Sequence, residues 1–397
     1  MKNNIIFEDF LLSTKVGKLD IDENIPFEEL KNCPACRTER QVVAELQSRR
    51  TSKKIRYGIC ATCGYMGYID RPSQDWLANY YSRDWDKLIT RSIEEIRSET
   101  GLEAKSGPKT SRFIAFSLAQ QLPIDKNKSI LEIGSGYGEV LKNFKDIGFN
   151  SVVGVENSEH RAKIVTEAFD IPVFSGEFEN HQVQKNLANF KPFGLIFSHH
   201  VLEHTFNPDE IINKISDLQD DGGYLVLALP NAMGEHINYA LFYLVHLHSF
   251  TKESLEIILN RNGYQIIKDN SPDPTNIILA AQKSTNPKSI FPRRNDYFDC
   301  ARNRIIRALG MDKIQQGSAY EIKWEQKLDN SDPSQVLKLN FGKVNWWLKK
   351  AMSFIKRKLG RYSTVYTFLI SVVDSSDSAT TGPIRIFFKD KIKLLAK

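Results

Sequence analysis

A chain of 397 residues with 41% hydrophobic and 26% charged side chains is long enough for two or three domains, and its composition excludes a fibrous or low-complexity protein. Nowhere do about 18 apolar residues run together, and the opening M-K-N-N-I-I-F-E-D-F holds no long apolar segment, so the expected location is the cytoplasm. The net charge of +6 belongs to the tail: from Ser331 onward 13 Lys/Arg face 4 Asp/Glu, which leaves the remainder slightly acidic.

Four of the five cysteines fall in two C-x-x-C pairs, Cys33/Cys36 and Cys60/Cys63, with 23 residues between them. Two thiolates three positions apart on a tight turn grip one metal ion, and a second such turn completes a four-sulfur shell with no open coordination position. The spacing predicts a structural zinc site in a ribbon-like module over 1–75, with strand-like pieces at Val42 to Leu46 and Lys54 to Ile59. Redox thiols are the competing reading. The stretch 76–122 reads as helices forming a lid, broken by a polar joint at Ser106-Gly107-Pro108. Its aromatic cluster of Tyr80, Tyr81 and Trp85 is packing or a reach toward substrate, with Tyr80 taken as the site residue.

The most informative stretch is Ser129 to Gly138, S-I-L-E-I-G-S-G-Y-G. A short apolar run, Glu132, and then Gly134, Gly136 and Gly138 describe a buried strand turning tightly into a helix start near Glu139. The dinucleotide fingerprint G-x-G-x-x-G does not fit, because these glycines alternate. Strands at 129–133, 151–156, 171–174, 193–198 and 223–229 alternate with helices at 139–147, 158–169 and 208–218. That alternation predicts an α/β fold with a doubly wound parallel sheet over a core of 123–287. Glu156 ends the second strand about 20 residues past the glycines, where a carboxylate accepts hydrogen bonds from ribose hydroxyls.

The segment Leu195 to Pro208 crowds His199, His200, Glu203 and His204 at the carboxyl end of a strand, the edge where open α/β sheets bind ligands. Asn207 is expected to cap the next helix, with Pro208 at its first position. Gly222 to Asn231 is a strand ending in Pro-Asn. His246-Leu247-His248-Ser249-Phe250 follows, with Thr251 as a further helix cap and His236 and His246 as packing or surface residues.

The alternating glycines resemble the first motif of class I S-adenosylmethionine (SAM)-dependent methyltransferases. H-x-L-E-H after the fourth strand, the G-G-x-L…P-N segment and histidine-x-phenylalanine beyond it are similar to that family too, over residues 110 to 283. The resemblance implies a Rossmann-like methyltransferase domain. SAM would be held by Glu132, Gly134, Gly136, Gly138, Glu156, Glu177 near the adenine, and His199. A histidine base is implied, His204 first and His200 second, with Glu203 capping or orienting a neighbour and His248 lining the substrate side. Gly194 departs from the family, which usually carries an acidic residue before the fourth strand. A double C-x-x-C ribbon ahead of such a domain is similar to sugar C-methyltransferases and surface-polysaccharide enzymes. That order implies a sugar, nucleotide-sugar or glycan acceptor.

From 288 to 397 the chain reads as a basic, mainly helical extension. A helix is expected at Cys300 to Leu309. Trp346, Trp347, Phe354 and Leu359 interleave with Lys349, Lys350 and Lys356 in an amphipathic helix, suited either to packing or to an anionic membrane or phosphorylated glycan. Two further functions stay open at this stage: an RNA methyltransferase, its zinc module and basic tail gripping phosphates, and a SAM-binding scaffold without chemistry. Nucleic acid is the weaker partner, since no N-P-P-Y-type motif follows the fourth strand.

Overall fold

The computed structural model describes residues 5–8, 25–47, 54–81, 91–98, 110–234, 244–269 and 275–285. Its central sheet consists of β7 (Ser129–Ile133), β8 (Val152–Glu156), β9 (Val173–Ser175), β10 (Phe193–His199), β11 (Tyr224–Pro230), β13 (Tyr264–Asp269) and β14 (Asn276–Lys283). Their order is β13-β14-β11-β10-β7-β8-β9. The five strands from β11 to β9 are parallel, and β14 runs antiparallel to both its neighbours. The chain leaves β7 to one side for β8 and β9 and to the other for β10 and β11. This reversal opens a crevice above the carboxyl ends of β7 and β10, where sheets of this kind take ligands.

Side-chain alternation divides the sheet into two dry faces. Ile130, Val152, Leu195, Phe197, Val226 and Ile278 pack under α3 (Ser111–Gln120), α4 (Glu139–Asp146) and Val165 of α5 (Glu159–Phe169). Leu131, Ile133, Val153, Ile196, Leu225 and Leu279 face α6 (His181–Leu187), α7 (Pro208–Asp217) and α8 (Lys252–Arg261). The expected parallel core is therefore present, with boundaries moved by one or two residues and α6 added. At Gly194 a β-bulge separates Phe193 from Leu195, and a Cβ there would stand 2.6 Å from the Lys128 side chain. Close packing thus explains the glycine at this position.

The cysteine region forms a second sheet of β1 (Ile5–Glu8), β3 (Gln41–Gln47), β4 (Lys54–Ile59), β5 (Met66–Tyr68) and, from far along the chain, β12 (His248–Ser249). A small ladder pairs β2 (Phe27–Glu29) with β6 (Asp70–Pro72), after which come α1 (Gln74–Asn79) and α2 (Ile93–Ser98). β12 pairs with β5 through His248–Gly67 and Ser249–Met66. Cys33, Ala35, Cys60, Cys63 and Tyr65 lie in the same apolar cluster as Leu131 and Leu255. Residues 1–75 and 76–287 thus share one compact unit, Met1–Ile305. The second unit, Ile306–Lys397, and the helices expected at 300–309 and around 346–359 lie outside the described residues. Among the described residues no helix is long and apolar enough to cross a membrane.

Candidate active site

The glycine turn after β7 takes the form its sequence demands. Gly134, Gly136 and Gly138 have φ of 72°, 56° and 73°, a region that L side chains rarely adopt. A Cβ on Gly134 would stand 2.3 Å from Val201, and one on Gly138 2.5 Å from Val165, whereas one on Gly136 would enter open space. Gly138 is also the N-cap of α4. Glu156 braces the turn: its Oε2 accepts from the Gly136 N–H at 2.8 Å and its Oε1 from the Ser158 N–H at 3.2 Å. Glu132 lies beneath, fully buried, with Oε2 lacking a hydrogen-bond partner. Burial drives its pKa well above the usual carboxylate value.

A cavity of about 340 Å³ opens between this turn and the segment after β10. Gly134, Gly136, Glu156, Asn157 and Glu177 line one half, while His199, His200, His204, Thr205, Phe206 and Tyr81 line the other. Arg112, Arg161 and Glu179 line it too, with Arg112 held by Glu139 at 2.9 Å. Burial raises the pKa of Glu177 and of Glu179. The turn, Glu156, Glu177 and the histidines after β10 are thus brought together. Five of the anticipated residues, Glu132, Gly138, Glu203, Tyr80 and His248, do not line it.

His200 adopts φ 54°, and its Nδ1 stands 3.0 Å from Oε1 of Glu203. Glu203 is 1% exposed. Burial would raise its pKa, but the contact with His200 outweighs that and lowers it to about 2. His204 Nδ1 lies 3.0 Å from the Val245 carbonyl and 2.7 Å from the Tyr81 hydroxyl. A carbonyl only accepts, so Nδ1 carries the hydrogen and Nε2 the lone pair. Burial lowers the pKa of His204. His199 Nε2 meets Ser111 Oγ at 2.9 Å, and burial lowers the pKa of this ring well below the usual imidazole value.

His248 does not reach the cavity. It is 1% exposed, its Nδ1 accepts from the buried Tyr65 hydroxyl, and its Nε2–H donates to the Thr205 carbonyl at 2.9 Å. Burial, with the charges of Arg71 and Arg40, lowers its pKa to about 3. The sequence placed it on the substrate side because histidine-x-phenylalanine follows the fifth parallel strand, but pairing with β5 turns the ring into the junction between the two sheets. Tyr80 likewise is packing, stacked on Trp76 at 5.6 Å, and its neighbour Tyr81 is the tyrosine that meets a histidine. The helical phase at 80 and 81 decides this, and the cluster alone did not. Sequence reading also passed over Arg112, Arg161 and Asn157. Of these, Asn157 was accessible from its place directly after Glu156.

The two cysteine turns are built alike. Arg37 N–H donates to Cys33 O and Gly64 N–H to Cys60 O, both at 2.9 Å, and Arg37 and Gly64 have positive φ of 68° and 73°. Sγ of Cys33 is 3.6 Å from Sγ of Cys63, and Sγ of Cys36 is 3.3 Å from Sγ of Cys60. A disulfide needs about 2.05 Å. Sulfurs around a tetrahedral zinc sit about 3.8 Å apart for a Zn–S bond of about 2.3 Å, so this group has the compactness of a four-sulfur shell.

Residues 108–269 match the family model described as a methyltransferase domain. This part of the chain is a methyltransferase domain, and the protein is a methyltransferase enzyme. Comparison with curated proteins gave no match. Among solved structures, the chain is similar to a SAM-dependent methyltransferase from Mesorhizobium loti, at 14% identity and a TM-score of 0.36, over 44% of this chain and 99% of that one. It is similar also to magnesium protoporphyrin IX methyltransferase from Synechocystis PCC 6803, at 14% identity and a TM-score of 0.37, over 53% of this chain and 100% of that one.

Proposed function

We propose that the enzyme transfers a methyl group from SAM to a small hydroxylated acceptor of the sugar, nucleotide-sugar or glycan-intermediate type. The supporting observation is the two-sided cavity, with a glycine turn and carboxylates opposite a histidine cluster. The open space beside Gly136, the Glu156 carboxylate and Glu177 suit a nucleoside with hydroxyls and an amine to recognise. SAM supplies an electrophilic methyl group when bound there. Opposite it, the Glu203 carboxylate lies 3.0 Å from Nδ1 of His200, a charge contact that in this reading keeps the proton on Nδ1 and leaves Nε2 as the acceptor for an acceptor-substrate proton. His200 is the base in this reading, ahead of His204, and what supports it is the carboxylate at its Nδ1 together with its place in the cavity wall. His204 and Tyr81 form the wall beside it. The four cysteines hold a structural zinc in this reading, and the β5–β12 junction keeps Thr205 and Phe206 in place.

Two measurements test the reading. Calorimetry is expected to show SAM binding tighter than NAD, and a SAM-consumption screen over nucleotide-sugars, glycans and RNA is expected to respond to a nucleotide-sugar or glycan. NAD binding as tightly as SAM overturns the cofactor assignment, and turnover with RNA alone overturns the acceptor.

A further inference from the structure

Beyond the cysteine cluster, one other group of side chains in the described residues is compact enough to grip a cation: Glu203, His204 and His246, each able to bring one ligand atom within 4.8 Å of the other two. They come from two separate places, the turn after β10 and the segment ahead of β12. The rings of His204 and His246 meet at 4.5 Å with an interplanar angle of 76°.

The polar accounting at this point does not close with protein groups. Glu203 is 1% exposed, and neither carboxylate oxygen has a hydrogen bond of good geometry, although His200 Nδ1 approaches Oε1 to 3.0 Å. A buried carboxylate left in this state is costly. Its other near neighbour is Nε2 of His204, 3.8 Å from Oε1. Because the Val245 carbonyl holds the hydrogen on Nδ1, Nε2 offers a lone pair to the carboxylate, and two acceptors face each other across that gap. Metal-bound histidines characteristically donate their second ring N–H to a carbonyl or carboxylate, which fixes the ring and turns the lone pair toward the ion. Val245 stands in that relation to His204, with the Tyr81 hydroxyl against the same nitrogen.

We propose that Glu203, His204 and His246 bind one divalent transition-metal cation at the edge of the cavity, separate from the four-cysteine zinc site. Two imidazoles and one carboxylate suit Mn²⁺, Fe²⁺, Co²⁺ or Zn²⁺ better than Ca²⁺ or Mg²⁺, which favour all-oxygen shells. Three protein ligands leave coordination positions open. His204 lines the cavity, so those positions face the space assigned to the acceptor, and acceptor oxygens are their natural occupants. That last assignment rests on the proposed function, whereas metal binding does not.

Mn²⁺ is the probe, because it is a poor competitor for thiolates and its bound and free forms differ in electron paramagnetic resonance. The 397-residue chain, with zinc in the four-cysteine site, is titrated with Mn²⁺. One bound ion per chain is expected, weakened at least tenfold in His246→Ala and in Glu203→Gln, with folding of each checked by circular dichroism. Binding unchanged in both folded variants overturns the proposal. So does an absence of Mn²⁺ and Co²⁺ binding up to millimolar concentration, which would leave Glu203 compensated by protons on the imidazoles. SAM calorimetry on the same protein separates the two readings: Mn²⁺ binding without SAM binding removes the proposed function and leaves the cation site standing.

Discussion

His248 donates its Nε2 hydrogen to the carbonyl of Thr205 at 2.9 Å while its Nδ1 accepts from Tyr65, so one buried ring ties the cysteine-bearing sheet to the wall of the cavity. His248→Ala removes both bonds and strands the Tyr65 hydroxyl. A loss of about 3 kcal/mol is expected in urea denaturation. A folded variant with wild-type stability and abolished turnover would return His248 to a chemical role.

For His200 the informative replacement is Asn, which tolerates the positive φ that this residue adopts. His200→Asn is expected to lower kcat by roughly 10²- to 10⁴-fold with SAM affinity changed less than about twofold. Steady-state kinetics and calorimetry supply the two values. Unchanged kcat would place the base elsewhere.

At the glycine turn, substitutions separate fold from ligand. Gly136→Val puts its side chain into the open cavity, so SAM binding is expected to disappear while the thermal midpoint falls by only a few degrees, from backbone strain of about 1–2 kcal/mol. Gly138→Val collides with Val165 and is expected to impair folding itself. If both variants bind SAM normally, the turn is not the cofactor site.

Zinc removal is expected to reach further than a separate ribbon would allow. Elemental analysis is expected to find a zinc that Cys63→Ser loses. Because the cysteines share a core with Leu131 and Leu255, the variant is expected to melt earlier in a single transition that includes the methyltransferase sheet. A metal-free wild type with the same melting temperature would remove the zinc assignment.

Glu132 supplies the pH dependence. Its pKa in the fold is raised, by burial first, so the protonated form is the favoured one. The stabilisation is complete below the unfolded value near 4.5 and is lost as pH rises toward the folded value, at a slope of roughly 1 kcal/mol per pH unit. Glu132→Gln is expected to lack this slope and to gain on the wild type in urea melts as pH rises above 4.5. A parallel slope in both proteins would show that Glu132 is not protonated in the fold.

The parallel core was legible because its strands are short apolar runs ended by glycine, proline or a capping residue. Asn207 and Thr251 cap their helices as the local pattern requires, Asn207 through Glu210 N–H and Thr251 in a reciprocal box with Ser254. The turn at Gly134 to Gly138 and its brace Glu156 were legible for the same reason, being set by residues adjacent in sequence or on adjoining strands. His248 was misread because its environment depends on Gly67 and Tyr65, more than 180 residues earlier, and no local period reports such a pairing. Choosing between His200 and His204 required knowing which nitrogen meets Glu203 and which meets Val245, a matter of ring orientation rather than of residue type.

The pairing of β12 with β5 also sets an order of assembly. Residues 33–68 emerge from the ribosome with both cysteine turns complete, yet the outer strand of their sheet, the Ser249 hydroxyl that receives Tyr57 O–H and the Thr251 hydroxyl that donates to Cys63 O are synthesised some 180 residues later. During that interval the free edge of β5 is open to other strands, and a metal held early by the four sulfurs would keep the nascent sheet in register until its last strand arrives.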